Sequence, residues 1–423
     1  MIDLQPAMQE PSTYAPIGGE AGPGVIAFGA LLMILFVPAA TFYLAGTSSM
    51  APGVLIVALV LIGMQTIGLT GVGGRDFFRR DLTLSLIVVV LLSVHLVVRA
   101  LAVEVDTTKA AGSLLIALAA IIGCGAASTL FSRAGDGAVR AAVMAAMAVL
   151  LLSAIFSLAG IQPPSETATS KPTFPFTEPS HFAGVLLPVI AFLAVTGSGW
   201  RRWAWILTAF ALGYLLENLS IVVGSVVVAV ACLAATRLAI FGAIAILILP
   251  FLDLTYFLDR IEFDPAATTN LSSLVYIQGW ELIRAGLRDT YGWGLGFQQL
   301  GFTFLDAPTS DLIYRLNGGS DLNLREGSFG LAKLVSELGI FGLIIVLYHG
   351  FLAGKALLSL RRVAIGRDRR PLVEILAMCS IYTFVIDMYV RGTGYFSGPA
   401  FLAVTSVLLL HRLPSSRTLP APT

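Results

Sequence analysis

Charge is what this sequence has least of. Asp, Glu, Lys and Arg make up 12% of its 423 residues while 57% are hydrophobic, and that much apolar surface cannot be covered in a water-soluble fold. Cysteine is scarce too: Cys124, Cys232 and Cys379 each sit inside an apolar run, as small core residues do, which leaves no disulfide framework and no thiolate metal site. The four histidines, His95, His181, His349 and His411, are scattered rather than spaced as ligands, so neither a metal nor another cofactor is expected. The absence of a fixed-period repeat excludes a solenoid, and a net charge of +1 offers no electrostatic footprint for nucleic acid. The first 23 residues contain no Lys or Arg. Without the basic region of a cleaved signal peptide, the apolar run that follows is expected to stay as a span.

What the chain does have is apolar runs of bilayer length. A helical span takes roughly 20 mostly apolar residues, and a sliding window finds such runs at 24–45, 52–70, 82–103, 111–131, 141–160, 180–197, 203–216, 219–236, 238–256, 328–354, 371–390 and 396–411. The expected fold is all-α, a polytopic integral membrane protein with about 12 transmembrane helices. Its layout is a tail over 1–23, nine spans over 24–256, a large loop over 257–327, three spans over 328–411 and a tail over 412–423. The weakest boundary is at Glu217 and Asn218, because one helix running through it would flip every later span. Arg75, Arg79 and Arg80, then Arg133 and Arg140, Arg201 and Arg202, Arg237, the group Arg361 to Arg370, and Arg412 with Arg417 fall in alternate connections. The opposite short loops hold little more than Lys109, Lys171 and Arg391. The positive-inside rule then predicts cytoplasmic termini and an outward-facing large loop.

That loop holds most of the chain's remaining chemistry. It gathers Arg260, Glu262, Asp264, Glu281, Arg284, Arg288, Asp289, Asp306, Asp311, Arg315, Asp321, Arg325 and Glu326, and a connection of about 70 residues with interleaved aromatics is longer than packing requires. The Pro-free stretch 271–289 predicts a helix lying at the interface, with Leu271, Leu274, Gln278, Leu282 and Trp280 suiting that position. Arg284 and Arg288, at i and i+4, share one face of it. Gly292-Trp-Gly-Leu-Gly296 follows, mis-spaced for a dinucleotide site and read instead as a turn that lets backbone pass close to a helix, with Trp293 at headgroup depth. Further on, Lys333 and Glu337 are placed to neutralise each other at i and i+4, and His95 and Arg99 share a face of the third span.

A second outward loop ends in Phe174-Pro-Phe-Thr-Glu-Pro-Ser-His-Phe182. Its prolines restrict the backbone and Ser180 can cap the span that follows, so Glu178 and His181 stand at a rigid helix entrance, suited to a general base with its orienting partner or to a carboxylate favouring a helix N-terminus. The string FTEPSHFA, Phe176 to Ala183, resembles the F-x-EPS-x-FA segment of Wzy-type bacterial polysaccharide polymerases, in the O-antigen polymerase and ligase superfamily. Gly292 to Gly296 is similar to that family's G-x-G-x-G turn, and Asn323-Leu-Arg-Glu-Gly-Ser328 running into Leu338-Gly-Ile-Phe-Gly342 is similar to the pattern opening its next span. Ile221 and Leu322 stand where many members have arginine and where ligases have histidine, and Val275 and Tyr276 occupy a stretch where another arginine is common.

The resemblance implies an inverting, metal-independent glycosyltransferase at the outer face of the bacterial inner membrane. It would join undecaprenyl-diphosphate-linked repeat units into O-antigen or exopolysaccharide, working beside chain-length regulator and export proteins. Glu178 and His181 are then the catalytic pair, Arg284, Arg288 and Arg391 hold diphosphate, and Trp280, Asn323 and Arg325 lie along the glycan. Arg391 has a second reading, since Asp387 lies one turn away and can pair with it. The alternatives are a flippase or transporter of lipid-linked sugars, expected to carry charge within many spans, and a ligase of the same superfamily, which the missing arginines and histidine disfavour.

Overall fold

The computed structural model describes residues 21–47, 49–67, 74–164, 173–265, 268–303, 305–319, 324, 327–392 and 394–413. Helix accounts for 76% of the structure, and no strand forms among the described residues. The helices in chain order are α1 (Ala21–Ala45), α2 (Ala51–Thr66), α3 (Gly74–Ala100), α4 (Thr107–Phe131), α5 (Asp136–Leu158), α6 (Pro179–Thr196), α7 (Trp200–Leu215), α8 (Leu219–Cys232) and α9 (Ala235–Ile248). They continue with α10 (Thr255–Arg260), α11 (Leu271–Asp289), α12 (Pro308–Leu316), α13 (Gly330–Ala364), α14 (Leu372–Thr383), α15 (Val385–Tyr389) and α16 (Gly398–Arg412).

A helix stands at each apolar run read from the sequence, with α14 and α15 sharing the run 371–390. Seven segments among the described residues are long and apolar enough to cross a membrane: those in α1, α3, α4, α5, α6, α13 and the pair α14–α15. The chain is therefore a membrane-embedded helical protein. The remaining helices are shorter; α7 has 16 residues, about 24 Å at 1.5 Å per residue, against a hydrocarbon core of roughly 30 Å. The doubtful boundary is resolved as a break. Glu217 has φ 49, and the Asn218 side chain accepts from Ile221 N at 3.2 Å to begin α8, so α7 and α8 are separate antiparallel helices.

Small residues allow the close crossings that hold helices together in a bilayer. A Cβ on Gly123 would strike the Ala58 backbone of α2, and Gly184 lies against Pro399 and the Asp387 carboxylate. The centre is α6, whose residues from Phe182 to Val195 are all buried. At the end of the fold away from Glu178, arginines serve as helix caps. Arg202 donates to Ala194 O, Gly197 O and Cys232 O at 3.1, 2.8 and 3.3 Å, and Arg361 donates to Val230 O at 2.6 Å. These are the orphan carbonyls of α6 and α8, and a cation there also complements the helix dipole.

At the same end Arg412 pairs with buried Asp81 and donates to Gly125 O at 2.7 Å. Gly125 is there because a Cβ would overlap the Asp81 carboxylate. Gly125→Ala is expected to displace this pair and destabilise the protein by about 1–3 kcal/mol, the usual cost of overpacking, read as earlier thermal unfolding of the detergent-purified protein.

The predicted helix over 271–289 forms as α11. Its Leu274, Val275, Gln278 and Leu282 are buried, Gly279 abuts the Phe329 ring and Gly286 abuts Ser336 of α13. The glycine turn runs beside α13 as expected: Leu295 N donates to Ser336 O at 2.9 Å, Gly296 N to Glu337 O at 2.8 Å and Ile340 N to Gly292 O at 2.8 Å. Gly294 (φ 94) has no room for a side chain, and Gly339 (φ 58) breaks α13 at the crossing.

One local expectation is corrected here. Glu337 does not serve Lys333: its carboxylate accepts from Gln298 N at 2.9 Å and Leu300 N at 3.3 Å, while the Lys333 ammonium lies 5.4 Å over the Tyr395 ring. Trp293 stacks on His95 at 5.0 Å and donates to His95 O at 3.3 Å, which ties the glycine turn to α3.

Candidate functional site

The site is built on the first turn of α6. Ahead of it, Phe176 is fully buried and packs edge-on against Phe182 at 5.6 Å, and Phe174 meets Tyr43 at 5.2 Å. The aromatic residues of the FTEPSHFA string are thus anchors, and they fix the polar residues between them. Pro179 occupies the first helical position, where its ring matches helical φ and its missing N–H costs nothing. The N-cap is Glu178, in extended backbone with no side-chain capping bond. This corrects the capping role read for Ser180. Ser180 instead donates its hydroxyl to Glu178 Oε2 at 2.9 Å.

His181 lies in the first turn of α6. Its Nδ1 is 3.0 Å from Thr177 Oγ1, and its ring lies 6.0 Å from that of Phe42. Arg391 arrives from the end of α15 and places Nη2 3.5 Å from Glu178 Oε2, with both side chains about a quarter exposed (26% and 29%). Burial alone would raise the Glu178 carboxyl. Charge on His181 and on Arg391, with hydrogen bonds from Ser180 and Arg391, outweighs it and holds the group below its ordinary value.

Two further elements complete the site. Asn218 at the α7–α8 turn donates its side-chain amide to Pro179 O, clamping the α6 entrance to the start of α8. The short helix α10 packs through Phe257 on Tyr214 at 6.1 Å and is tied to α11 by Ser273 Oγ donating to Asp259 O at 3.1 Å. It carries Arg260, whose guanidinium lies 4.4 Å over the Tyr256 ring. Burial lowers the Arg260 pKa from its ordinary value, with the neighbouring Tyr256 pulling the other way.

The residues singled out from sequence separate into groups. Glu178, His181 and Arg391 come together. Trp280 lies close by: it is 5.4 Å from Phe329, which also faces Tyr276 at 5.0 Å, and the Phe329 backbone abuts Gly392, whose N–H donates to Ser328 O at 3.0 Å. The resulting aromatic ledge, Phe263, Tyr276 and Trp280, is open at both ends, with Phe263 53% and Trp280 46% exposed. Arg284 and Arg288 occupy the exposed side of α11, and Arg288 is spent on neighbouring Asp289 at 2.6 Å. Asn323 and Arg325 lie outside the described residues. Among the described residues no three His, Cys, Asp or Glu side chains gather as a metal ion would need.

Sequence reading missed Arg260, Tyr256 and the structural part of Asn218. A signal existed for the first two, since Tyr256 and Arg260 are one helical turn apart in a segment just after an apolar run, the spacing of a cation and ring on one face. The chain matches no protein-family model, no curated protein and no solved structure.

Proposed function

We propose that the protein is a Wzy-type polysaccharide polymerase that joins undecaprenyl-diphosphate-linked repeat units at the outer face of the bacterial inner membrane. The observation that carries this reading is the partly shielded Glu178 carboxylate at a rigid helix entrance, bonded to Ser180 and facing a guanidinium. A carboxylate held charged can take a proton; a guanidinium beside it can neutralise phosphate oxygens.

The chemistry balances without a further reactant. The non-reducing-end hydroxyl of the acceptor repeat gives its proton to Glu178 as its oxygen attacks the anomeric carbon of the donor. The bond from that carbon to the diphosphate oxygen breaks on the opposite side, inverting the centre, and the electron pair leaves on undecaprenyl diphosphate facing Arg391. His181 supports the charged form of Glu178. Trp280 and the ledge beside it suit the apolar faces of sugars. Asn323 and Arg325 are retained as glycan contacts on the family resemblance alone.

The reading includes twelve spans, with the shorter helices tilting less or thinning the bilayer locally, cytoplasmic termini and the Glu178 end outside. Labelling tests this topology. A cysteine replacing exposed Arg315 is expected to react with an impermeant maleimide in spheroplasts, and one replacing exposed Arg367 only after lysis. The opposite pattern would put the site in the cytoplasm. Function is tested by the lipid-linked glycans of a strain lacking the protein. Accumulated single repeats at the outer face support a polymerase, loss of outward repeats indicates a flippase, and intact free polymer that is not attached to its final acceptor indicates a ligase.

A further inference from the structure

We propose that His349 is a positioning residue for the Glu178–Arg391 pair: from the interior of α13 it holds the break between α14 and α15, and that break sets where Arg391 stands. The effect on turnover rests on the polymerase reading; the placement of Arg391 rests on the contacts alone.

The break begins in local chemistry. Ser380 Oγ donates to Leu376 O and Thr383 Oγ1 to Cys379 O, each at 2.8 Å, and such bonds back to the preceding turn bend a helix. α14 ends at Thr383 and α15 begins at Val385, so the backbone ladder is interrupted at Phe384. The Ile381 carbonyl, which in an unbroken helix would accept from the Val385 N–H, instead meets His349 Nε2 at 3.2 Å. Since a carbonyl can only accept, Nε2 is the protonated nitrogen, and a side chain inserted into the ladder is a known cause of a sharp kink. His349 Nδ1 is shielded from solvent and has no hydrogen-bond partner. An ionisable ring inside a membrane-length apolar helix is uncommon unless it has a task, and the one polar contact this ring makes is with the carbonyl at the break.

The short helix beyond the break is gripped around the same ring. Phe384 stands edge-on to His349 at 5.5 Å and Tyr389 lies 6.1 Å from it, while the Tyr389 hydroxyl donates to Val346 O of α13 at 3.2 Å. Arg391 follows two residues later, and its N–H donates to Ile386 O at 2.9 Å, so α15 carries its backbone. The Arg391 guanidinium reaches Glu178 at 3.5 Å, the outer limit of a hydrogen bond, and a small rotation of α15 is enough to part the pair. The bland alternative is that His349 only satisfies a carbonyl in an apolar bundle, so that its loss destabilises the protein without acting through Arg391.

The test compares full-length wild type, His349→Leu and His349→Gln in nanodiscs, by backbone hydrogen exchange and by turnover, each also with Arg391→Gln. Leu leaves Ile381 O without its donor, whereas Gln offers an amide N–H at a similar reach. His349→Leu is expected to speed exchange over residues 384–392 by up to about tenfold, the scale of one lost hydrogen bond, with α2 and α4 unchanged. Turnover is expected to fall roughly ten- to a hundredfold, as it does when a reacting group is slightly misplaced, and Gln should recover part of both. In the Arg391→Gln background the Leu change is expected to add little, because a residue that acts through Arg391 has nothing left to place. Should His349→Leu insert poorly, His349→Asn, polar but too short to reach the carbonyl, takes its place. Unchanged exchange over 384–392, a loss undiminished in the Arg391→Gln background, or a Gln variant no better than Leu would overturn the positioning role. The two readings fail separately: wild type that makes no polymer removes the polymerase, and the exchange result still decides whether His349 places α15.

Discussion

Polymer formation by reconstituted Glu178→Gln protein is expected to fall by about 10²–10⁴, the usual contribution of a positioned general base, with single lipid-linked repeats accumulating. Gln keeps the size of the side chain and can still accept from Ser180 and Arg391, so insertion and fold should survive. What it loses is the ability to take a proton. If Glu178 only favoured a helix N-terminus, the change would cost about 0.3–1 kcal/mol of stability and leave turnover nearly intact. Near-normal polymerisation by well-inserted Gln protein would therefore make Glu178 structural. The pH profile adds a second reading. The folded carboxyl titrates below its ordinary value of 4.5, so the base form persists as pH falls through 4.5, while the stability that comes with the depressed pKa is complete above 4.5 and is lost progressively between 4.5 and the folded value.

Arg391→Gln is expected to lower turnover by about 10²–10³, the range for removing one donor that stabilises developing negative charge. A structural role alone would also lower activity through misfolding, so the discriminating measurement is the acid limb of the rate profile. Burial pushes the Glu178 carboxyl up, and Arg391 supplies two of the influences that bring it down. Removing the guanidinium should move that limb to higher pH, because the proton then leaves Glu178 less readily. A variant with reduced turnover and an unmoved acid limb would mean that Arg391 does not act on Glu178.

Much of the architecture was readable because its causes are local. An apolar run about 20 residues long has few alternatives to a helix in a bilayer, and each run stands as a helix. The break at Glu217 was legible as two polar residues interrupting apolar sequence, and Asn218 is a residue type that caps helices well. Helix 271–289 followed from periodicity and the absence of proline. The glycine turn followed from spacing, and its closeness to α13 is what three glycines in five residues permit.

The errors share one cause. Pairing Lys333 with Glu337, or giving Ser180 the cap, assumes that a polar group takes the nearest partner along its own helix. Glu337 takes backbone amides from a loop 37 and 39 residues away, because that loop is pressed against α13 and its N–H groups are buried there. Arg260 went unassigned because nothing near it in sequence says that its Nε is shielded.

The sequence by itself determined the membrane environment, the helical class, the helix positions and the presence of Glu178 and His181 at a constrained entrance, since each depends on composition or on contacts within a turn or two. Only the tertiary structure decided which cation meets Glu178. Arg391 is 213 residues away from it, and whether those side chains face each other depends on how α6, α8, α14 and α15 rotate and cross. Many small contacts, distributed over Gly184, Asp387, Asn218 and Pro179, set that rotation together, and no segment read alone contains it.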